Sequence, residues 1–111
     1  DVHADVLRAA RLCARVQSQA GRAADALATL DRHVVPFATC PAPSRAAMLE
    51  LHVARVRAIY ASAGSDHARA EAERVRAELS NALPGEPLVD RFASIVQQIL
   101  APPDGAVRRE R

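Results

Sequence analysis

The stretch VLRAARLCARVQSQAGRAADALATL, residues 6–30, decides the fold. It sets two runs of helix-forming residues on either side of one glycine, Gly21. Before the glycine, Val2, Val6, Ala9, Cys13, Val16 and Ala20 step by four and three, which gathers them on one helical face. After it, Ala23, Ala26 or Leu27, Leu30 and Val34 repeat the pattern. The spacing predicts a helix over about residues 2–20 and a second over about 22–33, with Gly21 as the stop between them. A turn this short forces two amphipathic helices to lie antiparallel and side by side.

Working outward, Pro36, Pro41 and Pro43 forbid a continuous helix over residues 35–43, so this is a loop, with Phe37 turned inward. Ser44 is placed to cap a third helix that runs to Ala63 on the stripe Leu49, Val53, Val56, Tyr60 and Ala63. Gly64 ends it, and Ser65 or Asp66 caps a fourth helix over about residues 66–83. Ala68, Ala72, Val75, Leu79 and Leu83 are its buried side. Pro84, Gly85 and Pro87 break the chain again. A fifth helix follows, with Leu88, Phe92, Ile95 and Ile99 on one face, widened by Val96 and Leu100, and Pro102 and Pro103 stop it. No segment alternates with period two, so no sheet is expected. The reading is all-α: about five helices, antiparallel pairs sharing one core over residues 1–101, and a polar tail over 102–111.

Composition agrees. The chain has 111 residues, half of them apolar but only 3% aromatic, which suits close packing of helices through small side chains. All fifteen positive charges are Arg. The net charge is only +2, because Asp and Glu are interspersed, and so balanced a surface gives no electrostatic case for nucleic-acid binding. No apolar run approaches the roughly 20 residues of a membrane span, and nothing reads as a signal peptide; a cytoplasmic location is expected. The chain begins at Asp1 without Met, as a piece excised or processed from a longer polypeptide does.

Catalytic and metal chemistry find no support. Cys13 and Cys40 have no second ligand at metal spacing, and neither has a neighbour that would lower its pKa. Cys13 falls on the apolar stripe and is expected to be a buried thiol; Cys40 lies in the Pro-bounded loop, open to solvent. Among His3, His33, His52 and His67 no two stand four apart. Only His52, beside Leu49 and Val53, is expected to be partly buried, as a hydrogen-bonded structural residue. Glu71, Glu73 and Glu78 alternate with Arg69, Arg74 and Arg76 as an exposed face does. The tail's Arg108, Arg109 and Arg111 are interrupted by Glu110 and lack aromatic neighbours, and read as a solvated linker. No catalytic residue, metal or cofactor is expected.

The first pair resembles the tetratricopeptide motif residue by residue. Ala10, Cys13 and Ala14 sit where its first helix places small and apolar side chains, Gly21 ends that helix, and Ala26 and Leu30 take the packing positions of its second. The second pair matches Val53, Val56, Tyr60 and Gly64 but has Arg57 where a small residue is preferred, so the repeat is degenerate. More broadly, GRAADALATLDRHV, AMLELHVARVRAIYASAG, HARAEAERVRAEL and ALPGEPLVDRFASIVQQILAPP resemble the helical-repeat region of large bacterial ATP-binding LuxR-type transcriptional regulators. That resemblance implies an ATPase domain upstream, helical repeats that sense an inducer or partner, and a DNA-binding domain downstream. The chain itself has no Lys-containing phosphate loop and no recognisable helix-turn-helix.

The expected function is thus a non-catalytic sensor or protein-interaction module of such a regulator, with a stand-alone chaperone or adaptor as the alternative. A small enzyme that binds an anionic metabolite through its Arg-rich face is the weakest of the three. The expected partners are a protein or peptide, a neighbouring domain of the same polypeptide, or a small-molecule inducer, with neither nucleic acid nor membrane touched by this segment. Helices one and three are expected to line the concave surface of the stack, through Arg8, Arg11, Arg15, Gln17, Arg55 and Arg57.

Overall fold

The computed structural model describes residues 3–100. These form α1 (Ala4–Gln19), α2 (Ala23–Asp31), α3 (Arg45–Ala63), α4 (Ser65–Ala82) and α5 (Pro87–Leu100), with short 3₁₀ turns at Phe37–Thr39 and Ala42–Ser44 in the loop after α2. No strand occurs among the described residues. The protein is all-α, as the periodicity requires. The expected tail over 102–111 lies outside the described residues.

Local chemistry sets the helix boundaries. The α1–α2 turn is closed by Gly21, at φ +79°, with the Gly21 N–H on the Ser18 carbonyl at 3.0 Å and the Arg22 N–H on the Gln17 carbonyl at 2.8 Å. This pair of backward bonds satisfies carbonyls that the end of a helix leaves open, and it needs a residue comfortable at positive φ. Gly64 does more: at φ 95° and ψ 176° it ends α3 and begins α4 by itself. Ser65 and Asp66, expected as caps, therefore lie in the first turn of α4, where the Asp66 carboxylate faces the positive end of the helix dipole. Ser44 stands at the start of α3, but its side chain does not cap the helix. Pro87 opens α5, a position at which its missing N–H costs nothing.

α3 is the centre of the molecule and touches α1, α2, α4 and α5. α1, α3 and α5 are successive neighbours in one layer, while α2 bridges α1 to α3 and α4 bridges α3 to α5. Because it is enclosed, α3 buries Met48, Leu51, His52 and Ala58 in addition to Leu49, Val53 and Val56. The single stripe read from the sequence was too narrow, and Tyr60 at its end is exposed. The α4 stripe is buried as expected, from Ala68 to Leu83. Phe37 is fully buried, so the loop is pinned rather than loose.

Two expectations are corrected. α1 buries Leu7, Ala10 and Ala14, whereas Val6, Cys13 and Val16 face outward, Val16 at 65% exposure. The alternative face won because α1 must fit against both α2 and α3, and Ala10 and Ala14 let those backbones approach closely. The two thiols are correspondingly inverted: Cys13 is exposed and Cys40 is buried, both unpaired by any disulfide. Among the described residues, no helix is long and apolar enough to cross a membrane.

Candidate functional site

Three helices of one layer leave a groove between them. α3 forms its floor through Leu49, Val53 and Ala54; α1 supplies one wall through Arg11, Ala14, Arg15 and Ser18; α5 supplies the other through Arg91, Ile95 and Gln98. Each wall draws on positions four and three apart, which is why one side of each helix projects into the same space. The cavity measures about 720 Å³. Its apolar base and polar rim are the composition of a docking surface, and the size lies within the range of ligand-binding clefts.

The charge is unevenly distributed. Elsewhere several arginines are matched: Arg8 with Asp5 at 3.0 Å, Arg22 with Asp25 at 2.7 Å, Arg74 with Glu71 at 2.5 Å and Arg76 with Glu73 at 3.2 Å. Arg32, Arg45 and Arg69 stand singly, without an ion pair among the described residues. The groove instead collects Arg11, Arg15, Arg57 and Arg91 around one carboxylate, Glu50. Glu50 lies 3.5 Å from Arg11, while Arg15, Arg57 and Arg91 have no ion-pair partner among the described residues. Like charges held together over an apolar floor are costly to leave unanswered and attract carboxylates.

The six residues singled out from the sequence divide evenly. Arg11, Arg15 and Arg57 meet in the groove. Arg8 stands apart on α1, bound to Asp5. Gln17 faces α2, where its side-chain carbonyl accepts from the Thr29 hydroxyl at 2.9 Å. Arg55, whose side chain is 20% exposed, ties α3 to Asp31 at 2.6 Å and to Glu71 of α4. Sequence reasoning missed the α5 wall. Its signal is present in Arg91, Ile95 and Gln98, spaced four and three, with Ile95 shared with the apolar face and Arg91 and Gln98 on its polar edge.

Two other places bear on chemistry. A smaller groove of about 460 Å³ runs between α4 and α5, over Ala72, Phe92, Val96 and Leu100. Behind the main groove, His52 is buried under Phe37, their ring centroids 5.0 Å apart. Neither imidazole nitrogen makes a hydrogen bond of full geometry, and the Val35 backbone is the polar group placed to meet the ring. Burial pushes the His52 pKa below its ordinary value; Glu78 and the Val35 carbonyl partly offset this, while Arg74 and Arg55 reinforce it. Among the described residues, no group of three or more His, Cys, Asp or Glu is placed to hold a metal ion. No protein family, curated protein or solved structure matches the chain.

Proposed function

We propose that the chain is a non-catalytic helical-repeat module that docks an acidic segment of a partner or of a neighbouring domain in the α1–α3–α5 groove. The observation that carries this reading is the set of three arginines, Arg15, Arg57 and Arg91, that have no ion-pair partner among the described residues and stand around an apolar floor. The order of helix contacts, each odd helix touching the next and each even helix bridging two, supports the repeat reading.

Within this proposal, the module serves as the sensor or docking segment of a cytoplasmic bacterial transcriptional regulator. The outward face of α1 favours that setting over a stand-alone adaptor. Val6, Leu12 and Val16 are exposed there, a surface of the kind that a further stacked helix covers. The test is titration of the 111-residue chain with labelled acidic peptides, read by fluorescence anisotropy. Arg15→Ala, Arg57→Ala and Arg91→Ala should each weaken binding several-fold and flatten its salt dependence. Unchanged affinity across the three variants defeats the assignment.

A further inference from the structure

The shape and chemistry of the groove also say what form its occupant takes, an inference that rests on the docking role just described. The groove is lined by helix side chains only. It presents no strand edge, and its arginines can only donate, so acceptors for an occupant's backbone N–H groups are few: Ser18, Gln98 and Glu50, the last already held by Arg11. An extended peptide pressed onto Leu49, Val53 and Ile95 would bury more backbone N–H groups than these acceptors can take. A helix satisfies its own backbone and can lay an apolar ridge on that floor.

The dimensions agree. Arg11 to Ser18 on one wall and Arg91 to Gln98 on the other each span seven steps along a helix, about 10 Å at the helical rise. That length matches two turns of an occupant. Charge fixes the remaining chemistry, because guanidiniums without an ion pair among the described residues stand on all three helices: Arg15 on α1, Arg57 on α3 and Arg91 on α5. Carboxylates flanking the apolar ridge would meet them on both sides.

A second copy of this chain is a poor occupant. Its most acidic helix, α4, has Glu71, Glu73 and Glu78 already engaged by Arg55, Arg74 and Arg76. We propose that the α1–α3–α5 groove receives about two turns of an acidic amphipathic helix from a separate partner protein, its apolar ridge seated on Leu49, Val53 and Ile95 and its carboxylates on Arg15, Arg57 and Arg91.

The experiment uses three peptides of one length. The first is an amphipathic helix with Leu at positions one, four, five and eight and Glu beside them; the second has the same composition with a central Pro; the third replaces Glu by Lys. Binding to the full chain is followed by anisotropy and by the methyl resonances of Val53 and Ile95. The helical acidic peptide should shift both methyls and bind about tenfold or more tighter than the Pro form. The Lys form should not bind, and Arg57→Glu should abolish binding while circular dichroism shows the fold intact. Leu12→Arg, on the outward face of α1, should change nothing. Equal binding of the Pro and helical acidic peptides at the groove methyls overturns the helical occupant and leaves the acidic docking role standing. Failure of both acidic peptides to bind overturns both, and loss of binding in Leu12→Arg places the site on the outward face of α1 and overturns the groove.

Discussion

The backbone N–H of Phe37 donates to Oε2 of Glu78 at 2.7 Å, joining the loop after α2 to the C-terminal part of α4 across 41 residues of sequence. A carboxylate holding a main-chain donor is a charge-assisted bond, stronger than a neutral one. It positions the loop so that the Phe37 ring enters the core and covers His52.

Glu78→Ala should therefore cost more than an exposed-glutamate substitution, about 1–3 kcal/mol, because it leaves the Phe37 N–H without its acceptor. Glu78→Gln keeps an acceptor and should recover part of that loss. Urea denaturation of both variants checks the order, and hydrogen exchange at the Phe37 amide should accelerate in the alanine variant.

His52 gives the fold a sensitivity to acid. Its pKa is lowered in the folded state, with burial the leading cause, so folding favours the neutral ring. The unfolded chain takes up a proton near the ordinary imidazole value of about 6.5. The contribution of His52 is thus fully present above that value, declines as pH falls below it, and is fully lost once pH has passed the folded-state pKa. His52→Leu should remove this part of the pH dependence. Denaturant titrations at neutral and mildly acidic pH decide it: an equal decline in both proteins would show that the sensitivity arises elsewhere.

Arg55 and Arg8 were both read as contact residues, and the structure gives them different work. Arg55 is mostly buried and holds Asp31 and Glu71, so Arg55→Ala should destabilise the protein by about 1–2 kcal/mol. The exposed Arg8–Asp5 pair should be worth less than about 1 kcal/mol. Neither substitution should alter docking in the groove, since neither side chain lines it.

The thiols should report the α1 orientation directly. In the native protein a thiol reagent should modify Cys13 quickly and Cys40 slowly, because Cys40 is buried and burial raises its pKa despite the nearby Arg45. Denaturation should equalise them. Rapid modification of Cys40 alone would mean that α1 and the loop are arranged the other way.

The contrast between α1 and α4 shows what a sequence can convey. On α4, one apolar stripe faces a row of charges, and Ala68 to Leu83 point inward as the pattern demands. α1 offers two candidate stripes, and the larger set, Val6, Cys13 and Val16 included, is the exposed one. The choice was made by Ala10 and Ala14 fitting two other helices, a long-range fact without a local signature. Gly and Pro act locally, which is why the ends of α1 to α4 were legible to within a few residues, while the expected stop of α5 at Pro102 and Pro103 lies outside the described residues. The groove was half legible: exposed arginines could be found on α1 and α3, but their junction with Arg91 exists only once α5 has crossed α3.

Gly64 sets a length standard. The two longest helices meet at this one residue, so their joint has no spare chain to absorb an insertion. One added residue within α4's first turn would turn the rest of that helix by about 100° about its axis. Ala72, Val75 and Leu79 would leave the core and charged residues would take their place. The connection between α2 and α3 is pinned at Phe37 and Cys40 but exposed at residues 38–39 and 41–43. Changes of length among descendants of this sequence should therefore collect at those exposed positions and spare the corner at Gly64.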